Sequence, residues 1–238
     1  MKKPILFLLT CSLILSSAPK AEAQGGGFML TAGLASFRMT DMKYLQEHIL
    51  ETYPVEGKIT SSFPPYTSAS VTLFKGFSDY LRLGGSYSYS TTGGKSSYQD
   101  YSGDIYTEIT ATSHRFGAYI SYTILGGDRL DLNLNGRLDA NVTSMTVESF
   151  YTIYIYSNGL SNKYRSVSPS GSIGAELMYR LKEISLGMEA GYQIDLQGDL
   201  KDPENDNPLL DPNDGERVLT SDWSGWYVRI SALINLKL

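Results

Sequence analysis

Residues 128–142 read DRLDLNLNGRLDANV. Leu130, Leu132, Leu134, Leu138, Ala140 and Val142 occupy even positions, while Arg129, Asp131, Asn133, Asn135, Arg137, Asp139 and Asn141 occupy odd ones. Successive strand side chains point to opposite sides, so this stretch predicts a strand with one apolar and one polar face. Seven further runs alternate in the same way, at 28–37, 66–74, 80–90, about 105–125, a run ending at 181, 184–197 and 226–238. In the last of these Leu233 alone breaks the pattern. The connections alternate too. Those at 75–79, 126–128 and 182–183 are short, and those at about 39–63, 91–104, 143–166 and 198–222 are long and polar. Eight runs with short turns at one end and long loops at the other predict an all-β, eight-stranded antiparallel up-and-down barrel.

Alternation does not say which face is the core. A soluble ligand-binding barrel of the lipocalin kind would turn the apolar face inward. Three features favour the reverse. The polar face is rich in Gly and Ser with isolated charges of both signs, unlike the Lys- and Glu-rich exterior of a soluble domain. Aromatics on the apolar face sort by depth, with Tyr87, Tyr89, Tyr192 and Trp226 toward the long loops and Tyr122 and Tyr179 toward the short turns. Two such girdles mark a membrane barrel. Several runs also exceed the 9 to 11 residues, roughly, that a tilted strand needs to cross a bilayer. If the polar face is inside, Arg137, Glu176, Glu189 and Arg229 stand at similar depth on consecutive strands. They predict a buried charge row, because an isolated buried charge costs several kcal/mol.

The N-terminus points to export. Lys2 and Lys3, the apolar run 5–15 and Ala21-Glu22-Ala23 make a secretory signal peptide over 1–23 with one barrel domain over 24–238. Cys11, the only cysteine, lies in that segment, so the mature chain forms no internal disulfide. Without the signal, 17 basic and 24 acidic residues remain, a formal charge of −7 that is not the footprint of a nucleic-acid binder.

The long connections hold the remaining candidates. Residues 40–51 predict a helix with Thr40 as N-cap and Met42, Leu45 and Ile49 on one face. Residues 199–216 carry seven carboxylates and three prolines but lack the spacing of a calcium loop, so no metal or cofactor is expected. The tyrosine-rich stretch 150–164, with Asn158-Gly159 as its turn, predicts an outward hairpin. Tyr151, Ile153, Tyr154 and Tyr156 are its candidate surface-binding residues, open to an unidentified partner.

These strands and turns resemble the small eight-stranded outer-membrane barrels of Gram-negative bacteria, of the OmpA/OmpX type. Ser221-Asp222-Trp223-Ser224-Gly225 before the terminal strand looks like barrels of the Bacteroidetes. The resemblance implies a monomer in the outer membrane, inserted by the barrel assembly machinery and surrounded by lipopolysaccharide. It also implies a structural or surface-interaction role rather than a solute pore. The family includes a few enzymes acting on lipid A. His114, on the lipid side of its strand, raises that reading, but Thr112-Ser113-His114-Arg115 does not reproduce the deacylases' His-x-Ser spacing, and no catalytic residue is assigned.

Overall fold

The computed structural model describes residues 25–51, 58–101, 103–153, 156–181 and 184–236; the signal segment 1–23 lies outside them. The strands are β1 (Gly26–Ala35), β2 (Lys58–Ser62), β3 (Tyr66–Gly76), β4 (Leu81–Asp100), β5 (Gly103–Gly126), β6 (Leu130–Ile153), β7 (Tyr156–Leu181), β8 (Ile184–Asp195), β9 (Gly198–Asp199), β10 (Thr220–Ser221) and β11 (Gly225–Leu236), with one helix, α1 (Thr40–Glu51). Eight of them form a ring in the order β1-β3-β4-β5-β6-β7-β8-β11, and β11 pairs back onto β1. Every neighbour is antiparallel, so the ring is an up-and-down barrel.

The apolar face points out. Leu138 is 74% exposed, and Leu130, Leu134, Ile173, Leu177, Val228 and Ile230 are also exposed, whereas Asn133, Asn135 and Arg137 are buried. This is the opposite of a lipocalin. On β6 the outward apolar positions run from Leu130 to Val142. At about 3.3 Å per residue and a tilt near 45° that is roughly 30 Å, the thickness of a bilayer's hydrocarbon core. Tyr122 and Tyr179 flank the belt at the short-turn end, and Tyr87, Tyr89 and Trp226 at the other, all exposed. No described helix is long and apolar enough to cross a membrane.

The expected connection 91–104 is largely strand, and the hairpin expected around 150–164 is present with its strands longer and its tip earlier than expected. β4 continues to Asp100 and β5 begins at Gly103, while β6 continues to Ile153 and β7 begins at Tyr156. The described parts of 91–104 and 143–166 are therefore upward extensions of the wall. Asn158 and Gly159 are not the turn; they pair with Tyr151 and Phe150 inside the β6–β7 ladder. β2 adds to the upper edge of β4 through Lys58↔Ser97 and Ser62↔Gly94. The barrel thus has a tall side, β4 to β7, and a short side, β8, β11, β1 and β3.

Above the belt the polarity of these strands inverts. On β5, Ile109 and Ala111 face inward and are buried; on β6, Met145 and Val147 do the same. They pack with Phe37, Met39, Met42, Leu45, Phe63, Leu200, Leu219 and Trp223 into one apolar core, with Ile49 partly buried beside it. α1 lies on this core through the face expected of it. Its first turn hydrogen bond runs from Lys43 N–H to the Met39 carbonyl (2.9 Å), so Met39, at φ 45°, takes the cap position one residue before Thr40. The 198–222 connection is not merely solvated. Leu200, Leu209 and Leu219 are tied by backbone bonds (Leu200 N to Leu219 O 3.0 Å; Leu209 N to Leu200 O 2.7 Å).

Candidate functional site

The middle of the lumen holds the charges that the alternation placed inside. Arg137, Glu176, Glu189 and Arg229 are all buried, the two glutamates completely. Their pairing differs from a simple row. Opposite Arg137 on β7 stands Ser172, and Glu176 stands opposite Asn133. Arg137 instead reaches Glu189, Nη2 to Oε2 3.5 Å, and its Nη1 donates to Ser70 Oγ (3.2 Å). Among the described residues Glu176 has no salt-bridge partner. It accepts from Asn135 (3.1 Å), Asn133 (3.4 Å) and Ser231 (2.5 Å).

Glu189 faces Glu176 on one side and Arg229 on the other. Tyr227 donates its hydroxyl to Glu189 (2.9 Å), and the Arg229 guanidinium lies 4.0 Å from the Tyr227 ring centroid. Glycines make room for this. A Cβ on Gly191 or Gly174 would come within 2.4 or 2.5 Å of the Tyr227 hydroxyl, so any larger residue there would expel the phenol from Glu189.

The network extends beyond the four residues expected in the charge row. Arg115 donates to Ser90 Oγ (2.8 Å), Asp139 accepts from Ser86 (3.3 Å), and Asp195 accepts from Ser168 (2.5 Å), Asn141 (3.2 Å) and the Trp223 backbone (3.2 Å). All three lie on the polar face of their strands, which was the signal available. Arg115, Arg137 and Arg229 therefore share this layer with Asp139, Glu176, Glu189 and Asp195, while the buried Asp131 lower on β6 pairs with Arg180, a mutual compensation that buried charges require.

Both ends of this polar layer are closed by apolar side chains. Above it sits the core beneath α1. Below it Met29, Phe74, Met178 and Leu233 cluster with Tyr119. This explains Leu233, the exception to the alternation: it is an inward residue at the depth where the lumen is apolar. Enclosed in this way, the facing carboxylates Glu176 and Glu189 are completely buried.

The projecting sheet is the second feature. β7 pairs β8 only from Ser170 to Leu181, whereas it pairs β6 along its whole length to Tyr156. Between Tyr156 and Tyr164 its outer edge has no strand against it among the described residues. Tyr151 is half-buried and accepts from Asn158 Nδ2 (3.3 Å), and Phe150 and Leu160 are exposed. Ile153 and Tyr156 end their strands at the tip, and Tyr154 lies outside the described residues. On the outer surface of this sheet Lys95 pairs with Glu108 (3.0 Å), and Tyr106 also donates to that carboxylate. The Tyr106 hydrogen bond, then Lys95, holds the Glu108 carboxyl below its ordinary value.

The other candidates resolve differently. His114 Nδ1 bonds the Tyr87 hydroxyl (2.9 Å), and its ring packs against Tyr87 and Tyr89. Ser113 points into the lumen and donates to Asn141 Oδ1 (2.6 Å), so the adjacent hydroxyl is on the wrong side of the sheet to meet His114. In the acidic loop, Asp211 accepts from the Asn213 backbone (2.9 Å), Tyr44 (3.1 Å) and Arg217 (3.1 Å). The Asn213 N–H is the largest influence holding its carboxyl below the ordinary value. Arg217 also pairs with Asp41 of α1 and so ties the loop to the helix. Among the described residues no group of side chains is arranged to hold a metal.

This arrangement defines a class: an eight-stranded β-barrel with an apolar exterior and a plugged polar lumen. No protein-family model and no curated protein matches the chain. Among solved structures, Neisserial surface protein A is similar at 12% identity and TM-score 0.41, covering 89% of this chain and 99% of that one. Ail, the attachment invasion locus protein of Yersinia pestis, is similar at 11% identity and TM-score 0.38, covering 89% and 99%. The N-terminal β-barrel domain of Pseudomonas aeruginosa OprF is similar at 11% identity and TM-score 0.32, covering 90% and 99%. At these values the fold assignment rests on the ladders of this chain.

Proposed function

We propose that the chain is an integral outer-membrane barrel acting at the cell surface through its projecting sheet, with neither a solute path nor a catalytic site. The exposed apolar belt, the height of a bilayer core and bordered by aromatics, carries this reading. Leucines exposed in this density would be an aggregation liability in water and are at rest in lipid. A signal peptide over 1–23, insertion by the barrel assembly machinery, a monomeric state and lipopolysaccharide neighbours belong to the same proposal. The surface role rests on the β7 edge, whose unpaired backbone groups suit strand addition by a partner.

The protein extracted in detergent should run faster on a gel before boiling than after. A chain that stays dispersed in water without detergent overturns the membrane reading. An epitope inserted between residues 154 and 155 should bind antibody on intact cells, and a tag reached only after permeabilising the envelope overturns the orientation.

A further inference from the structure

A cationic patch sits where the belt ends on the β7 side. Ser166 and Ser168 are buried in the lumen, so Lys163, Arg165 and Val167 point outward. Lys201 stands opposite Arg165, with both backbone bonds made (Arg165 N to Lys201 O 2.8 Å; Lys201 N to Arg165 O 2.9 Å). Directly opposed residues share a face with Cβ atoms about 5 Å apart, and like charges there repel. Leu200 is buried on the inner side, which leaves Lys201 outward, next to Arg165. None of the three cations is in a salt bridge among the described residues. Three carboxylates lie close by: Asp202 follows Lys201 and acts on Tyr164 between the two β7 cations, while the exposed Asp199 and Glu148 stand two positions along from Lys201 and diagonal to Lys163; none of them is in a salt bridge with the three cations among the described residues.

Depth selects the ligand. Immediately below, Val167 is 64% and Leu196 67% exposed, the outward residues at the top of the apolar belt. Three repelling cations on a chain of net negative charge, at the height of a headgroup, fit an anion fixed at that height. We propose that Lys163, Arg165 and Lys201 dock the phosphate of a glycolipid in the outer leaflet. This rests on the membrane reading above. The lipid's chains lie along Val167 and Leu196 while its phosphate bridges Arg165 and Lys201, relieving their repulsion. Arg165 supplies the planar fork suited to phosphate, and the lysines supply point charges.

The test uses the full chain in detergent micelles, with bisphosphoryl lipid A and its dephosphorylated form as probes, and native mass spectrometry as readout. The phosphorylated form should be retained preferentially. Each cation replaced (Lys163→Gln, Arg165→Gln, Lys201→Gln) should weaken retention about fivefold, as expected for a basic residue at an anionic surface. Asp199→Asn should strengthen it, a gain that misfolding cannot mimic. Arg82→Gln, at the opposite rim, should change nothing. Equal retention of both lipid forms, or of lipid A by the triple variant, overturns the site while leaving the barrel reading intact. Displacement by millimolar inorganic phosphate overturns the lipid as source. A chain that needs no detergent overturns both readings together.

Discussion

Along β6 two regions of one strand obey the same period with opposite sign. In the lower half Leu134 and Leu138 face out while Asn133 and Arg137 face in; in the upper half Thr146 and Glu148 face out while Met145 and Val147 face in. The ladder between β6 and β7 runs through this change without a register shift, so no bulge turns the strand over. On the proposed membrane reading, what changes is the outer solvent. Against lipid, apolar groups are at no disadvantage outside, and the interior is left to polar groups that satisfy one another. Against water the ordinary hydrophobic effect applies, and the interior becomes a core under α1. The two halves are thus stabilised by different physics within one hydrogen-bonded wall.

The comparison can be broken from either half. Glu189→Leu has the largest expected effect. It leaves Arg137 and Arg229 buried without their shared carboxylate, a change costing about 4 kcal/mol, read as the urea midpoint for loss of the fast-migrating band in micelles. An unchanged midpoint would mean that the lower interior does not depend on its charges. Trp223→Ala comes next. It removes a fully buried ring that packs edge-on to Phe37 at 4.7 Å and donates to Thr143 (2.9 Å). A cost of about 3 kcal/mol is expected, together with earlier proteolysis of the upper region. If the lower barrel melts in concert, the halves are one cooperative unit.

A smaller, sharper contrast comes from placing the same charge outside each half. Leu134→Arg should destabilise by about 2 to 4 kcal/mol in a bilayer, and Thr146→Arg by no more than about 0.5 kcal/mol as an ordinary surface change. Equal costs would erase the proposed boundary near Val142.

The smallest effect is acid loosening of the cap. Asp211 and Glu108 have folded-state carboxyls held below their unfolded values. Their stabilisation is present above the unfolded pKa, about 4, and fades as pH falls through the folded value. Protection factors of amides in 200–219, taken against the intrinsic exchange rate at each pH, should therefore fall below about pH 4 while the lower barrel stays protected. Protection factors that are flat with pH would show that the Arg217–Asp211 contact does not hold the loop.

Much of the fold was legible because a period of two survives in short windows. Which side chains share a strand face follows from it, the depth sorting of the aromatics and the Gly- and Ser-rich polar face set Arg137, Glu176, Glu189 and Arg229 inward, and the helix over 40–51 follows from its own spacing of three and four. Strand ends were not legible. Residues 91–100 read TTGGKSSYQD, a loop-like composition that becomes strand only because β5 and β2 supply partners on its two edges. Asn158-Gly159 carries turn chemistry, yet the ladder runs past it. Within the candidate site, counting up each strand put Arg137 beside Glu176. Closing a barrel staggers neighbouring strands, and that stagger sets Asn133 against Glu176 and sends Arg137 to Glu189.

By itself, then, the sequence determined which side chains share a face, since that is a local consequence of strand geometry. Only the tertiary structure decided which of those side chains meet, how far the wall rises above the apolar belt, and where inward means polar or apolar. Those depend on stagger, on partners distant in sequence and on the solvent at each height, none of which a single strand encodes.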